Sequence, residues 1–321
     1  MRVVYWARLQ LARQQVLDAL QAVPGADLVV VETLAELLGA LNGAEALILY
    51  DAPPHQARQV VDALSAPDNT VRWMHFLTAG REGFDAVGLP ARVAVSYPHG
   101  CVAPTVAEHA MTLLLALVRR VPAMLEQQAK RNWSRLDVSA KATSVEGKVM
   151  AIVGYGQIGR EIARRARPFG IRTVAVSRAR KSDEWLDESH TLSELDQVLA
   201  RADIVMLTIA LTPETHHLFD PRRLAACKPG VVLINVARGG LVDQQALAAA
   251  LTSGQVSAAG LDVVDPEPLP ASDPLWGAPN LLISPHFAGG GSEVSQTRLA
   301  ESAAGNLKRL INNEPLQHLV S

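Results

Sequence analysis

Val149-Met150-Ala151-Ile152-Val153-Gly154-Tyr155-Gly156-Gln157-Ile158-Gly159 is the stretch that decides the fold. Its apolar start reads as a buried strand, and Gly-x-Gly-x-x-Gly leads from it into a helix expected over 160–169. Gly154 permits a tight turn, Gly156 lets backbone approach a pyrophosphate, and Gly159 lets the helix lie close to the strand. The free N–H groups at the helix start would face the phosphates. Strand, glycines and helix come in the order that a dinucleotide site requires, so Gly154, Tyr155, Gly156, Gln157, Ile158 and Gly159 are expected to bind one. The alternative is an ordinary glycine-rich strand-to-helix turn.

The next strand, expected over 171–176, bears on which dinucleotide. A site for NAD usually ends this strand with Asp or Glu, which binds the ribose 2′-hydroxyl. Here Ser177 stands there, followed by Arg178, Ala179, Arg180 and Lys181. A carboxylate would repel a 2′-phosphate, whereas guanidinium groups can grip its oxygens in a bidentate fork. NADP(H) is therefore expected over NAD(H), with Ser177, Arg178 and Arg180 among its contacts. The alternative is that the basic run is a solvated loop.

At 321 residues, the chain is long enough for two domains, and 49% hydrophobic residues supply ample core. Thirty basic against 32 acidic residues leave a net charge of -2, which argues against a general binder of nucleic acid or anionic membrane. Cys101 and Cys227 are far apart and lack metal-ligand or Cys-x-x-Cys spacing. No disulfide framework and no metal are expected, and the natural setting is a reducing cytoplasm. The N-terminus reads as a strand without a signal-peptide core. The most apolar run, 110–118, is too short to span a bilayer.

Strands and helices alternate throughout, which predicts an α/β protein with parallel sheets. In the first hundred residues, strands are expected at 3–5, 28–31, 46–50, 73–77 and 93–96, with helices between them, as in a flavodoxin-like half. A long helix is expected over about 105–125, with Pro122 tending to kink or end it, then a loop over 131–145. Six further strands follow, at 149–153, 173–176, 204–207, 231–235, 258–262 and 281–283, the number a full Rossmann domain needs. A last helix over 292–310 would return to the first domain. The expected division is 1–100 with 291–321 as the substrate domain, and 101–290, including the long helix, as an inserted dinucleotide-binding domain.

Ligands of open α/β sheets sit beyond the carboxyl ends of the strands. Three segments there carry chemistry: Asn235 to Asp243 around Arg238, Leu261 to Pro270 around Glu267, and Ser284 to Gly290 around His286. Arg238 is suited to hold a carboxylate and polarise an adjacent carbonyl. His286 titrates near working pH and can give or take a proton. Glu267, within reach, would stabilise its imidazolium. Taken singly, a turn-capping Arg, a loop Glu and a structural His are the plainer readings. Together, downstream of the fingerprint, they read as a catalytic set.

At this point the chain resembles the D-isomer-specific 2-hydroxyacid dehydrogenases. The motifs are the fingerprint, Leu211-Thr212-Pro213-Glu214-Thr215, Lys228-Pro229-Gly230, Ala237 to Asp243, Leu261-Asp262, Glu267-Pro268-Leu269, Pro274-Leu275-Trp276, Pro279-Asn280 and Ser284-Pro285-His286. The resemblance implies Arg238, Glu267 and His286 as the catalytic triad and Asp262 as the acid that orients the nicotinamide carboxamide. It makes Thr78-Ala79-Gly80 the loop whose amides bind the substrate carboxylate. Thr208 and Ala237, at strand ends, join the expected cofactor contacts. Val106-Ala107-Glu108-His109 matches a helix motif of the family, with His109 read as structural. Ser177-Arg178 in place of an acid is similar to NADP-preferring glyoxylate and hydroxypyruvate reductases. The small-molecule partner would then be a 2-oxo or 2-hydroxy acid, and a homodimer through the long helix is implied. A phosphite dehydrogenase is the enzymatic alternative and would want Arg81 as a further cation. A nucleotide-sensing scaffold similar to the C-terminal-binding-protein corepressors is the non-enzymatic one. A formate dehydrogenase would pair its His with Gln rather than Glu.

Overall fold

The computed structural model describes residues 1–78 and 80–320; Ala79, one of the expected substrate contacts, lies outside the described residues. The protein is α/β with two parallel sheets, and the chain divides into two compact units, Met1–Val102 with Gly290–Ser321, and Ala103–Gly289.

In the first unit, β1 (Arg2–Trp6), β2 (Asp27–Val31), β3 (Ala46–Leu49), β4 (Trp73–Phe76) and β5 (Ala94–Ser96) form a sheet in the order β2-β1-β3-β4-β5. This is the flavodoxin-like order. Alternation sends Val4, Trp6, Leu47, Leu49, Met74 and Phe76 into one core layer, with Leu37, Val60 and Leu64 from helices on that face. Val3, Tyr5, Ile48 and Trp73 go into the other layer. β3 and β4 are buried along their whole length, as expected for parallel strands covered on both faces. The last helix, Glu293–Ile311, begins at Ser292, whose hydroxyl accepts the Ser295 N–H at 3.2 Å. Its stripe of Leu299, Ala303 and Leu307 packs in the same core layer as Val16 and Leu20 of the first helix, Arg13–Gln21. That burial is what brings the end of the chain back to the first sheet.

The second unit holds β6 (Val149–Val153), β7 (Arg172–Ser177), β8 (Glu188–Thr191), β9 (Ile204–Leu207), β10 (Val231–Asn235), β11 (Val256–Leu261) and β12 (Leu281–Ile283), ordered β12-β11-β10-β9-β6-β7-β8. From β6 outward this is the Rossmann order with one strand added at the far edge. The strand missing from the sequence reading is β8. Glu188-Ser189-His190-Thr191 has no apolar run, because an edge strand half open to water needs none. The long helix also differs from expectation. It runs Ala103–Val118, breaks where Arg120 takes a left-handed φ of 62°, and gives way to a separate helix Val121–Ala129 with Pro122 in its first turn. Proline suits a helix start and would lack an N–H inside one. Within the expected loop a short helix, Arg135–Ser139, forms. Neither of these two helices buries a residue, and Met124, Leu125, Leu136 and the 97%-exposed Trp133 leave apolar side chains open to solvent. Among the described residues, no helix is long and apolar enough to cross a membrane.

Candidate active site

The fingerprint lies where β6 and β9, neighbours in space, send their chains to opposite sides of the sheet. Gly154 follows β6 with φ +98°, and a Cβ there would meet Ile209 N at 2.4 Å. Only glycine fits both the angle and the approach. The Thr208 hydroxyl donates to Gly154 O at 2.5 Å, and its N–H to Val153 O at 2.9 Å, so β9 locks the turn. The helix starts earlier than expected, at Gln157, and is α-helical to Ala166 before a 3-10 turn, Arg167–Phe169, at Pro168. Gly159 in its first turn sits so close to β6 that a Cβ would fall 2.5 Å from Gly154 O. Gly156, the residue before the helix, is exposed and would meet nothing within 4 Å. The result is an open space over a helix N-terminus, which fits a dinucleotide pyrophosphate.

Beyond β7, Ser177 is buried and its hydroxyl donates to Ala179 O at 2.7 Å, closing a turn. Arg178 is exposed on that turn. Arg180 is engaged by Glu194 Oε1 at 2.7 Å and Ser189 O at 3.0 Å.

The three ionisable residues come from the loops after β10, β11 and β12. His286 Nδ1 lies 2.7 Å from Glu267 Oε2. That bond to Glu267 raises the His286 pKa above its ordinary value, against the opposing effects of burial and of Arg238. Burial pushes the Glu267 carboxyl upward, yet hydrogen bonding and charge from His286 outweigh it and hold it below the usual carboxylate range. Arg238 adds to that lowering, so its charge is felt by both partners. His286 adopts φ +50°, unusual for a residue with a side chain, and its N–H is held by Asp262 O at 2.8 Å.

Sequence reading assigned no role to the residues that hold these loops. Asn235, fully buried at the end of β10, donates through Nδ2 to Arg238 O at 2.8 Å and accepts the Ala237 N–H at 3.0 Å. Ala237 O in turn accepts from Arg238 Nη1 at 2.6 Å. Gln244 grips Asp265 at two points, Nε2 to O and N–H to Oε1, both 2.7 Å. Gly239 lies against the Val264 carbonyl, so the Arg238 and Glu267 loops touch backbone to backbone. An amide side chain at a strand end was the available signal, and it is too common to single out alone.

Asp262, expected at the nicotinamide carboxamide, is held by three donors from the loop after β12. Its side chain is 1% exposed. Oδ1 accepts from the Ser284 hydroxyl at 2.7 Å and the Phe287 N–H at 3.1 Å, and Oδ2 accepts the Ala288 N–H at 3.0 Å. A buried carboxylate needs such donors, and here they fix the loop that carries His286.

In the first unit, Thr78 and Gly80 follow β4, and the Thr78 hydroxyl donates to Gly80 O at 2.8 Å. Arg81 pairs with Asp85 at 3.3 Å, which weakens the case for it as a free cation for an oxyanion substrate.

Residues 111–288 match the family described as D-isomer specific 2-hydroxyacid dehydrogenase, NAD binding domain. The chain is 35% identical over 288 residues to D-3-phosphoglycerate dehydrogenase of Mycobacterium tuberculosis, covering 87% of this chain and 51% of the relative. It thus spans about half the length of that protein. It is 35% identical to glyoxylate/hydroxypyruvate reductase B of Citrobacter koseri over 282 residues, 86% of this chain and 84% of the other. A D-isomer specific 2-hydroxyacid dehydrogenase of Xanthobacter autotrophicus, solved with NADPH and MES, superposes with a TM-score of 0.81 at 26% identity, covering 100% of this chain and 98% of that one. With the family's fold, fingerprint and matching strand-end motifs all present, the chain belongs to the D-isomer specific 2-hydroxyacid dehydrogenases.

Proposed function

We propose that this protein is an NADP(H)-dependent reductase of small 2-oxo acids, such as glyoxylate or hydroxypyruvate, forming the D-2-hydroxy acid or catalysing the reverse. The observation that carries the reading is the 2.7 Å pair of His286 and Glu267 with Arg238 acting electrostatically on both. Because Nδ1 faces Glu267, the proton available to substrate sits on Nε2 of His286. In reduction that proton goes to the oxygen on C2, and Glu267 stabilises the imidazolium beforehand. Arg238 holds the substrate carboxylate and polarises the neighbouring carbonyl.

A bound nicotinamide dinucleotide would supply the hydride to C2. Gly154, Tyr155, Gly156, Gln157, Ile158 and Gly159 would hold its pyrophosphate, with Thr208 and Ala237 at its flank, and Asp262 would contribute through the loop it fixes. Arg178, exposed beside Ser177, is the first candidate for a 2′-phosphate. Arg180 would have to leave Glu194, to which it is tied by an ion pair open to solvent on the Arg180 side. The relative solved with NADPH supports this preference. A cytoplasmic homodimer is part of the proposal. The homodimer is supported by the exposed apolar side chains Met124, Leu125, Trp133 and Leu136.

The test is oxidation of NADPH and of NADH, in parallel, with glyoxylate and hydroxypyruvate. Turnover favouring NADPH supports the reading. Equal use of both would reduce the basic run to a solvated loop. Tight nucleotide binding without turnover would point to another substrate or to a sensor.

A further inference from the structure

We infer that His109, acting through Ser284 and Asp262, is a positioning residue for His286. The inference rests on the reading of His286 as the proton donor. His109 lies on the helix Ala103–Val118, whose inward positions are otherwise apolar: Val106, Ala110, Leu113, Leu114 and Leu117 are all buried. A histidine among them is a polar group that packing alone does not call for. Its Nε2 lies 2.8 Å from Ser284 Oγ and 3.4 Å from Asp262 Oδ1. Its ring meets Phe287 edge-on, with centroids 4.8 Å apart. His109 therefore touches residues on both sides of His286.

The protons in this chain have one consistent arrangement. An ionised Asp262 can only accept, so the single Ser284 hydroxyl proton points at Oδ1, 2.7 Å away. Ser284 Oγ is then an acceptor toward His109, which must carry its proton on Nε2. The order is His109 Nε2–H to Ser284 Oγ–H to Asp262 Oδ1. Asp262 in turn fixes Phe287 and Ala288 through its side chain and His286 through its carbonyl. That grip is what keeps His286 in its left-handed conformation, facing Glu267. The charged groups acting on His286 are Glu267, Arg238 and Asp262, and His109 is linked to it through Ser284, Asp262 and Phe287.

The variants are His109→Leu, which fills the space without a donor, and His109→Gln, whose Nε2 can still reach Ser284. His286 is followed by NMR titration of the cofactor-free protein, and 2-oxo acid reduction by its pH profile. In His109→Leu the His286 titration is expected to move down toward the ordinary histidine range. The alkaline limb of kcat should move with it, with kcat lower by roughly tenfold and KM little changed, since Arg238 is untouched. His109→Gln should restore both. If His109→Leu does not fold, Ser284→Ala breaks the same chain and carries the same expectation. A His109→Leu or Ser284→Ala protein with an unchanged His286 titration and pH profile, and only a lower Tm, would overturn the inference. A wild type that reduces no 2-oxo acid, combined with a shifted His286 titration in the variant, would sink the proposed function and leave the positioning role standing.

Discussion

Gly239→Ala tests whether the Arg238 and Glu267 loops are held against each other as described. A Cβ at 239 would lie 2.0 Å from the Val264 carbonyl carbon, 2.1 Å from its oxygen and 2.6 Å from Asp265 N. Carbon atoms rest at about 3.5 Å, so the two segments must part by roughly 1.5 Å at this point. Every opposing atom is backbone, so no rotamer change relieves the clash. Neither loop yields freely. Asn235 pins the Arg238 turn from below, and Gln244 pins Asp265 at two points. Overpacking of this kind costs about 1–3 kcal/mol of stability. The larger effect is on geometry, because a misplacement of about 1 Å between catalytic groups lowers rate by roughly 100-fold. Gly239→Ala should therefore lose about two orders of magnitude in kcat/KM for the best 2-oxo acid. Nucleotide affinity should fall far less, since the fingerprint follows β6 and only the flanking Ala237 shares the loop with Gly239. The assay pairs steady-state kinetics with a fluorescence titration of NADPH. A folded, nucleotide-binding Gly239→Ala enzyme with kcat/KM within about threefold of wild type would refute the geometric argument.

Other perturbations follow from the same geometry. His75 is fully buried, and burial pushes its pKa down to about 3, whereas the unfolded chain takes up a proton near 6.5. Its contribution is complete above pH 6.5 and is lost as pH falls toward 3, a loss of roughly 2–3 kcal/mol by the middle of that window. His75→Asn should remove that part of the acid sensitivity, read from the fluorescence of buried Trp6 and Trp73; equal slopes in the two proteins would exclude it. Glu267→Gln removes the carboxylate whose hydrogen bond, and then its charge, raises the His286 pKa, so the imidazolium needed for reduction should be lost at lower pH. The alkaline limb of the pH profile should shift down, and an unmoved limb would remove Glu267 from its assigned role. Arg178→Ala should weaken NADPH binding by about tenfold and leave NADH unaffected, with a smaller effect from Arg180→Ala. Calorimetric titration that finds equal losses for both nucleotides would assign Arg178 to general electrostatics.

The short-range pattern of the chain determines a good deal. Gly154, Gly156 and Gly159 stand at the intervals of a strand-turn-helix phosphate cradle, between an apolar run and a helix, and the apolar runs of β3, β4, β6 and β10 are long enough to declare parallel strands. Arg238, Glu267 and His286 were visible because each follows such a run, where a parallel sheet presents its ligands. Residues whose meaning depends on a partner far along the chain could not be read this way. β8 shows no apolar signal because its pairing with β7 at an edge supplies its stability. Arg180 looked free until the fold placed Glu194 beside it. His109 is 175 residues from Ser284, and Asn235, Gln244 and Asp262 are ordinary polar residues until their neighbours are known. Spacing along the chain encodes secondary structure because backbone geometry is local. Hydrogen bonds and pKa shifts depend on distances of a few ångströms, and only the packed tertiary structure sets those distances.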